Sequence, residues 1–190
     1  MGRARLTGAM RRGALGLGVC AILWAAAAPA AAEPTWWFTV GGHAAIETGR
    51  LSEILGTEGS IRLGGGLYLF RLGPVLVGAD AEVTAGRRNA HLGTATDKID
   101  VYRGRLGVRA SWWHEDDEPR WVPYARVGAV YRTDRGDFIK DDGVGWYVSL
   151  GLDIRLNETW SFGPFVSYEA ISLSVETESF LFGFGFTFSY

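Results

Sequence analysis

The chain carries a single cysteine, Cys20, and it falls within the first 32 residues. Beyond it no disulfide framework can form, and no zinc-ligand spacing, Gly-rich phosphate loop or other cofactor motif appears. No long apolar run follows residue 32, so a membrane-spanning helix is excluded there. Proline is sparse, at 6 residues, and the three histidines, His43, His91 and His114, are widely scattered. No cofactor and no metal is expected. Glycine, at 27 residues, and the aromatics, at 13%, are instead abundant, which points to an all-β chain.

The N-terminus reads as a secretory signal peptide. Arg3, Arg5, Arg11 and Arg12 precede an apolar run over residues 14–28, and Ala30 and Ala32 have the small-residue spacing of a cleavage site. Two regions are therefore expected: a signal peptide over 1–32 and one domain over 33–190. Removing residues 1–32 takes away four arginines and no acid, so the formal charge moves from −2 to −6. Nucleic acid, which calls for a basic stripe, is not an expected partner.

Alternation with a period of two marks eight strands, at about 36–47, 60–70, 75–83, 100–113, 121–133, 146–156, 160–168 and 179–190. In the last one Phe180, Phe182, Phe184, Phe186, Phe188 and Tyr190 share a face, while the other face is mostly glycine, threonine and serine. A soluble sheet would put lysine or glutamate on its wet face. The small face suits a crowded interior, and the aromatic face suits lipid. Connections at 48–59, 87–98, 134–142 and 172–177 are generally longer than those at 72–74 and 157–158, with 114–120 an exception. Alternating loop length with an even strand number is the habit of outer-membrane barrels. Pro123 and Pro164 fall within strands, where bulges or early strand positions are expected.

Trp36, Trp37, Phe70, Trp112, Trp113, Trp121, Trp160 and Tyr190 gather at one end of their strands, as an interfacial girdle does. With the apolar face turned to lipid, the opposite face becomes luminal. It carries His43 and Tyr68 and an ion-pair network of Glu47, Arg62, Asp80, Glu82, Arg103, Arg105, Arg109, Arg126, Arg132, Asp153, Arg155 and Glu169. The connection lengths place an Arg62–Glu82–Arg103 cluster above an Asp80–Arg105 pair, with Arg109 near Arg126. Eight strands enclose a lumen that side chains can fill.

The chain resembles the small eight-stranded outer-membrane barrels, the OmpA-like, OmpX-like and OmpW-like group. Gly185, Phe188 and Tyr190 are similar to the C-terminal signal that those proteins present to the barrel-assembly machinery, although Gly183 stands where a polar residue is usual. The resemblance implies an eight-stranded antiparallel up-and-down transmembrane β-barrel in the outer membrane of a Gram-negative bacterium, with periplasmic termini. Its implied partners are outer-membrane lipid and lipopolysaccharide, the assembly machinery and periplasmic chaperones, and a monomer is expected.

The expected role is structural or surface-interacting, with the lumen plugged by arginine–carboxylate pairs. The alternative is a narrow pore that favours anions weakly through an arginine excess. Catalysis is not expected, because no histidine has a fixed acid or serine partner in the sequence; a lipid-modifying enzyme would need one. A soluble lipocalin-like barrel with reversed faces would leave the one-ended tryptophans unexplained. Asp134, Asp137, Asp141 and Asp142 form an acidic loop cluster that could take a cation.

Overall fold

In a computed structural model of the chain, residues 36–48, 52, 54–92, 95–113, 120–174 and 176–190 are described. The region expected to be a signal peptide and most of the 114–120 connection, with His114, lie outside them. Eight strands follow one another: β1 Trp36–Thr48, β2 Glu58–Leu72, β3 Val75–Leu92, β4 Ala95–Trp112, β5 Trp121–Arg135, β6 Lys140–Arg155, β7 Trp160–Ser172 and β8 Glu176–Ser189. Each pairs antiparallel with its chain neighbour, and β1 pairs with β8 to close the barrel. Closure leaves no sheet edge to be satisfied by solvent.

Side-chain alternation sorts the residues onto two surfaces. Outward positions are apolar and open, among them Ile61, Val83, Leu106, Val127, Leu150 and Phe184. Inward positions are buried and often ionic, among them Arg105, Arg132 and Glu169. This inverts the soluble arrangement and rules out the reversed lipocalin-like packing.

Strands β3 and β4 are longer than the alternation suggested. Their ladder runs from Val75↔Trp112 to Leu92↔Ala95, so the segment expected as a loop at 87–98 is largely a continued hairpin. Strands β5 and β6 likewise pair as far as Arg135↔Lys140. Past Arg88 the inward face of the long hairpin becomes apolar apart from Asp97. Ala90, Ile99 and Val101 pack there with Leu55 from the β1–β2 connection, flanked by Ile54 and Ile139. Hydrogen bonds from Gly56 N to Asn89 O and from His91 N to Ile54 O hold that connection over the loop end of the barrel.

At the terminal end the β2–β3 and β6–β7 turns are tight. Gly73, at φ 57°, takes the left-handed conformation in the turn between Leu72 and Val75. Asn157 Oδ1 accepts from the N–H groups of Thr159 and Trp160, an Asx turn leading into β7. A bulge between Tyr68 and Phe70 shifts the β2 register, so Phe70, not Leu69, stands most open beside Leu72. Trp36, Trp112, Trp121 and Trp160 face outward as a girdle, but Trp37 has the opposite parity and is buried in the lumen. Pro123 is an early strand residue. At Pro164 no register shift occurs; the β6–β7 ladder is simply interrupted opposite it, between Gly151↔Phe165 and Ile154↔Phe162.

An arginine at mid-barrel on the apolar surface should cost what charge costs in hydrocarbon. Val108→Arg is expected to lower stability by about 2–4 kcal/mol, whereas Phe138→Arg, in the exposed β5–β6 loop, should change it by less than about 0.5 kcal/mol. Urea unfolding of the barrel in lipid vesicles measures both.

Candidate functional site

The luminal charges form layers that cross the barrel. Nearest the loop end, Arg88 on β3 bonds Glu47 on β1 and Asp134 on β5. Arg132 reaches the same two acids, at 2.7 Å to Glu47 and 2.8 Å to Asp134, and Ser179 on β8 donates to Glu47 at 2.6 Å. In the next layer Arg103 on β4 forks onto Glu58 on β2 and meets Glu169 on β7 at 3.0 Å. Arg105, also on β4, joins Glu169 to Glu82, the latter at 2.9 Å.

Below it, Arg126 on β5 spans Glu82 at 2.9 Å and Asp80 at 2.6 Å, and the Tyr147 hydroxyl donates to Asp80. Lowest, Arg109 bonds Asp153 and Ser111. Charge-assisted, forked contacts of this kind are what a buried guanidinium needs to offset the loss of water.

The register departs from the expected clusters. Glu82 stands opposite Gly64 and Arg105, Arg62 stands opposite Thr84, and Asp80 stands opposite Gly107. Each pairing is displaced by two residues, because the β3–β4 ladder closes at Leu92↔Ala95, one residue past the midpoint of 87–98, and the β2–β3 turn lies between Leu72 and Val75 with a bulge at Tyr68/Phe70. Arg103 is therefore bound to Glu58 and Glu169 instead of Glu82, and Arg105 to Glu82 instead of Asp80. Arg62 still approaches Glu82, at 3.7 Å. Arg109 and Arg126 do face each other across β4 and β5.

Arg155 has a different setting: it donates to the Glu158 carbonyl at the terminal end and lies over the Trp113 ring. Glu58, Arg88 and Asp134 join the network although the sequence reading placed them in or beside loops. They balance it, with seven arginines facing seven carboxylates among the described residues, so the expected arginine excess disappears. Asp134 is thereby removed from the acidic loop cluster. Asp141 accepts from Ser174 N, and no group of three metal-ligating side chains occurs among the described residues.

Aromatic rings fill the spaces between layers. The Arg109 Cζ lies 3.9 Å from the Tyr124 ring centre and 5.2 Å from that of Trp37, and Arg62 lies 4.0 Å from that of Phe165. Inward glycines make room for these rings. A Cβ at Gly66 or Gly78 would strike Trp37, one at Gly107 would strike the Tyr147 hydroxyl, and one at Gly151 would strike Tyr124.

Among the described residues five side chains with buried polar atoms lack full pairing: His43, Arg62, Thr84, Arg88 and Thr133. Both ring nitrogens of His43 and the Nε and Nη1 of Arg62 have no hydrogen-bond partner among the described residues. Their nearest acids, Glu58 at 3.9 Å and Glu82 at 3.7 Å, are too far for one. At the terminal end a cavity of about 400 Å³ opens between Trp37, Arg109, Trp113, Asp153 and Arg155. His91, which a catalytic reading would need near acids, is exposed on β3.

A closed eight-stranded barrel with an apolar outside and an ionic inside identifies its relatives. Residues 17–188 match the outer membrane protein beta-barrel domain. The chain belongs to that family. It is an outer-membrane β-barrel protein of Gram-negative type. No curated protein sequence matches it.

Its fold is similar to that of the outer membrane protein OprG from Pseudomonas aeruginosa, with 15% identity, TM-score 0.56, and coverage of 82% of this chain and 95% of that one. Neisserial surface protein A is similar at 14% identity and TM-score 0.56, over 83% and 99%. Ail, the attachment invasion locus protein of Yersinia pestis, in complex with the heparin analogue sucrose octasulfate, is similar at 10% identity and TM-score 0.59, over 84% and 100%. At such identities the likeness is one of fold.

Glu169 is the shared acceptor of Arg103 and Arg105, so Glu169→Ala is expected to cost about 3–5 kcal/mol. Asp153→Ala should cost less, about 1–3 kcal/mol, because Arg109 keeps Ser111 and its two rings beside the open cavity. Urea unfolding with intrinsic tryptophan fluorescence ranks the two.

Proposed function

We propose that this protein is a non-catalytic outer-membrane barrel whose lumen is plugged by its arginine–carboxylate layers, and whose role is structural or surface-interacting. The observation that carries this reading is the stack of three ion-pair layers: Arg88 and Arg132 with Glu47 and Asp134, then Arg103, Arg105 and Arg126 with Glu58, Glu169, Glu82 and Asp80, then Arg109 with Asp153. The apolar group of Leu55, Ala90, Ile99 and Val101 at the loop end supports it further, since it packs over the lumen outside the Arg88 layer.

In this reading both termini lie in the periplasm and the four hairpin loops face outward. The protein is a monomer with lipid and lipopolysaccharide around it. The assembly machinery, after chaperones have delivered the chain, recognises the β8 tail. Phe188 packs its ring 5.4 Å from Trp36 and 5.1 Å from Trp160, beside the open Tyr190, and Gly185 lies inward next to Thr39. The tail thus lies on the seam where β1 meets β8.

Presentation of the outer loops fits a surface role. Asp97 on β4 accepts from the backbone N–H groups of Asp137, Phe138 and Ile139, at 3.0–3.2 Å, and so holds the β5–β6 loop in one shape against the neighbouring hairpin. Ail, of similar fold, is known in complex with a heparin analogue; an anionic glycan is therefore one ligand class to test on these loops.

A second reading, the narrow pore, draws on the unpartnered nitrogens of His43 and Arg62 and on the terminal cavity, which mark hydrated space inside the wall. With charges balanced, such a pore would show little anion preference.

Conductance in a planar bilayer separates the two. Wild-type protein is expected to be silent and Glu82→Ala, which takes one acceptor from each of Arg105 and Arg126, to leak. Steady wild-type conductance would establish the pore instead.

A further inference from the structure

The lipid-facing surface of β2–β5 is not uniform. Register aligns Leu63, Val83, Gly104 and Tyr131 in one row across four strands, and Ile61, Ala85, Tyr102 and Thr133 in the next row toward the loop end. Gly104 and Ala85 leave the floor low, and a Cβ at Gly104 would meet nothing within 4 Å. Tyr102, Tyr131, Val83 and Ile61 stand up around it, each highly exposed. The result is a groove of about 460 Å³ with almost wholly apolar walls. It continues past Gly86 into a second depression that ends at Arg87 and Asp100.

The row beyond is charged. It runs Gly59, Arg87, Asp100, Arg135 and Lys140, with Lys98 one outward position farther along β4. Arg87 is 67% exposed and uses its Nε on Asp100 at 2.7 Å, which leaves its two terminal nitrogens for another acceptor. Among the described residues, Arg87, Lys98, Arg135 and Lys140 thus neighbour Asp100 and, one row toward the groove, Asp142. Arg87 and Lys140 are three strands apart, a span of about 14 Å at ordinary strand spacing.

We propose that this groove is a binding site for one lipid A molecule: an acyl chain lies over Gly104 and Ala85, and the two phosphates of its disaccharide meet Arg87 and Lys140. The charge complementarity selects the occupant. A glycerophospholipid carries one phosphate and could engage one end of the row, whereas a disaccharide phosphorylated at both ends engages two separated cations. Arginine suits phosphate through its forked donors, and lysine as a point charge. The proposal rests on the reading that the loop end faces outward, because lipid A belongs to the outer leaflet.

Native mass spectrometry of the purified protein in mild detergent tests it, with diphosphorylated lipid A and phosphatidylglycerol as the two probes. One lipid A is expected to be retained, at least about tenfold more tightly than phosphatidylglycerol, the difference of one charge-assisted contact. Gly104→Leu fills the groove without a clash, and the double variant Arg87→Gln/Lys140→Gln removes the phosphate partners. Each should weaken lipid A about tenfold, and the charge variant should weaken phosphatidylglycerol less, since its single phosphate engages one end of the row. Heat-modifiable migration confirms that the variants fold.

Equal retention of the two lipids, or lipid A binding unmoved by either variant, overturns the proposal. Labelling of Phe138→Cys on intact cells decides the orientation separately. Gly104 faces away from the lumen, so failure here leaves the conductance test of the plug untouched.

Discussion

Arg105 is 1% exposed, yet it carries a full charge, and its position explains much of the molecule. It binds Glu169 from across the lumen and Glu82 from the adjacent strand. Neither acid serves Arg105 alone: Glu169 also holds Arg103, and Glu82 also holds Arg126. Burying one ion is costly, and the cost is offset only when every neighbour is placed to accept it. The shared acids therefore couple strands that never pair. β7 is tied to β4, β2 to β4 and β3 to β5 by side chains, while hydrogen-bond ladders tie only neighbours. Outside the barrel hydrocarbon gives no hydrophobic reward for compaction, so the polar interior takes over the work that an apolar core does in water.

The glycines follow from the same constraint. A guanidinium stacked on a ring needs a flat neighbour, and a ring laid across so narrow a lumen needs an opposing wall without Cβ atoms. Gly66 and Gly78 receive Trp37, Gly107 receives Tyr147, and Gly151 receives Tyr124. What looks in the sequence like spare space is occupied in the structure. Such a scheme specifies a pattern of small, charged and aromatic positions more than particular residues. That agrees with a fold shared with OprG, neisserial surface protein A and Ail at 10–15% identity.

Strand number, antiparallel order and the facing of nearly every residue are legible in the sequence, because a period of two is a strong signal when one side meets lipid. Trp37 is the exception that parity itself could have resolved: it alternates with the outward Trp36 and Phe38, so it had to point inward. Register was less legible. It depends on where a ladder ends, and polar residues such as Arg88, Asn89 and Lys98 resemble a loop while they extend a hairpin. Glu58, Arg88 and Asp134 were missed for the same reason, although Arg88 keeps the parity of Glu82 and Asp134 that of Arg132. The bulge after Tyr68 left no sequence trace that distinguishes it from an ordinary strand end.

The central claim is that buried, shared ion pairs hold this barrel together from within. A double-mutant cycle on Arg105→Met and Glu169→Gln, read by urea unfolding in lipid vesicles, tests it most directly. The account predicts strong non-additivity, with a coupling of at least about 2 kcal/mol, because each single change deprives the other buried charge of a partner and the double change removes both charges. Additive losses would contradict it, and would mean that the pairs are screened by water and contribute little to the barrel.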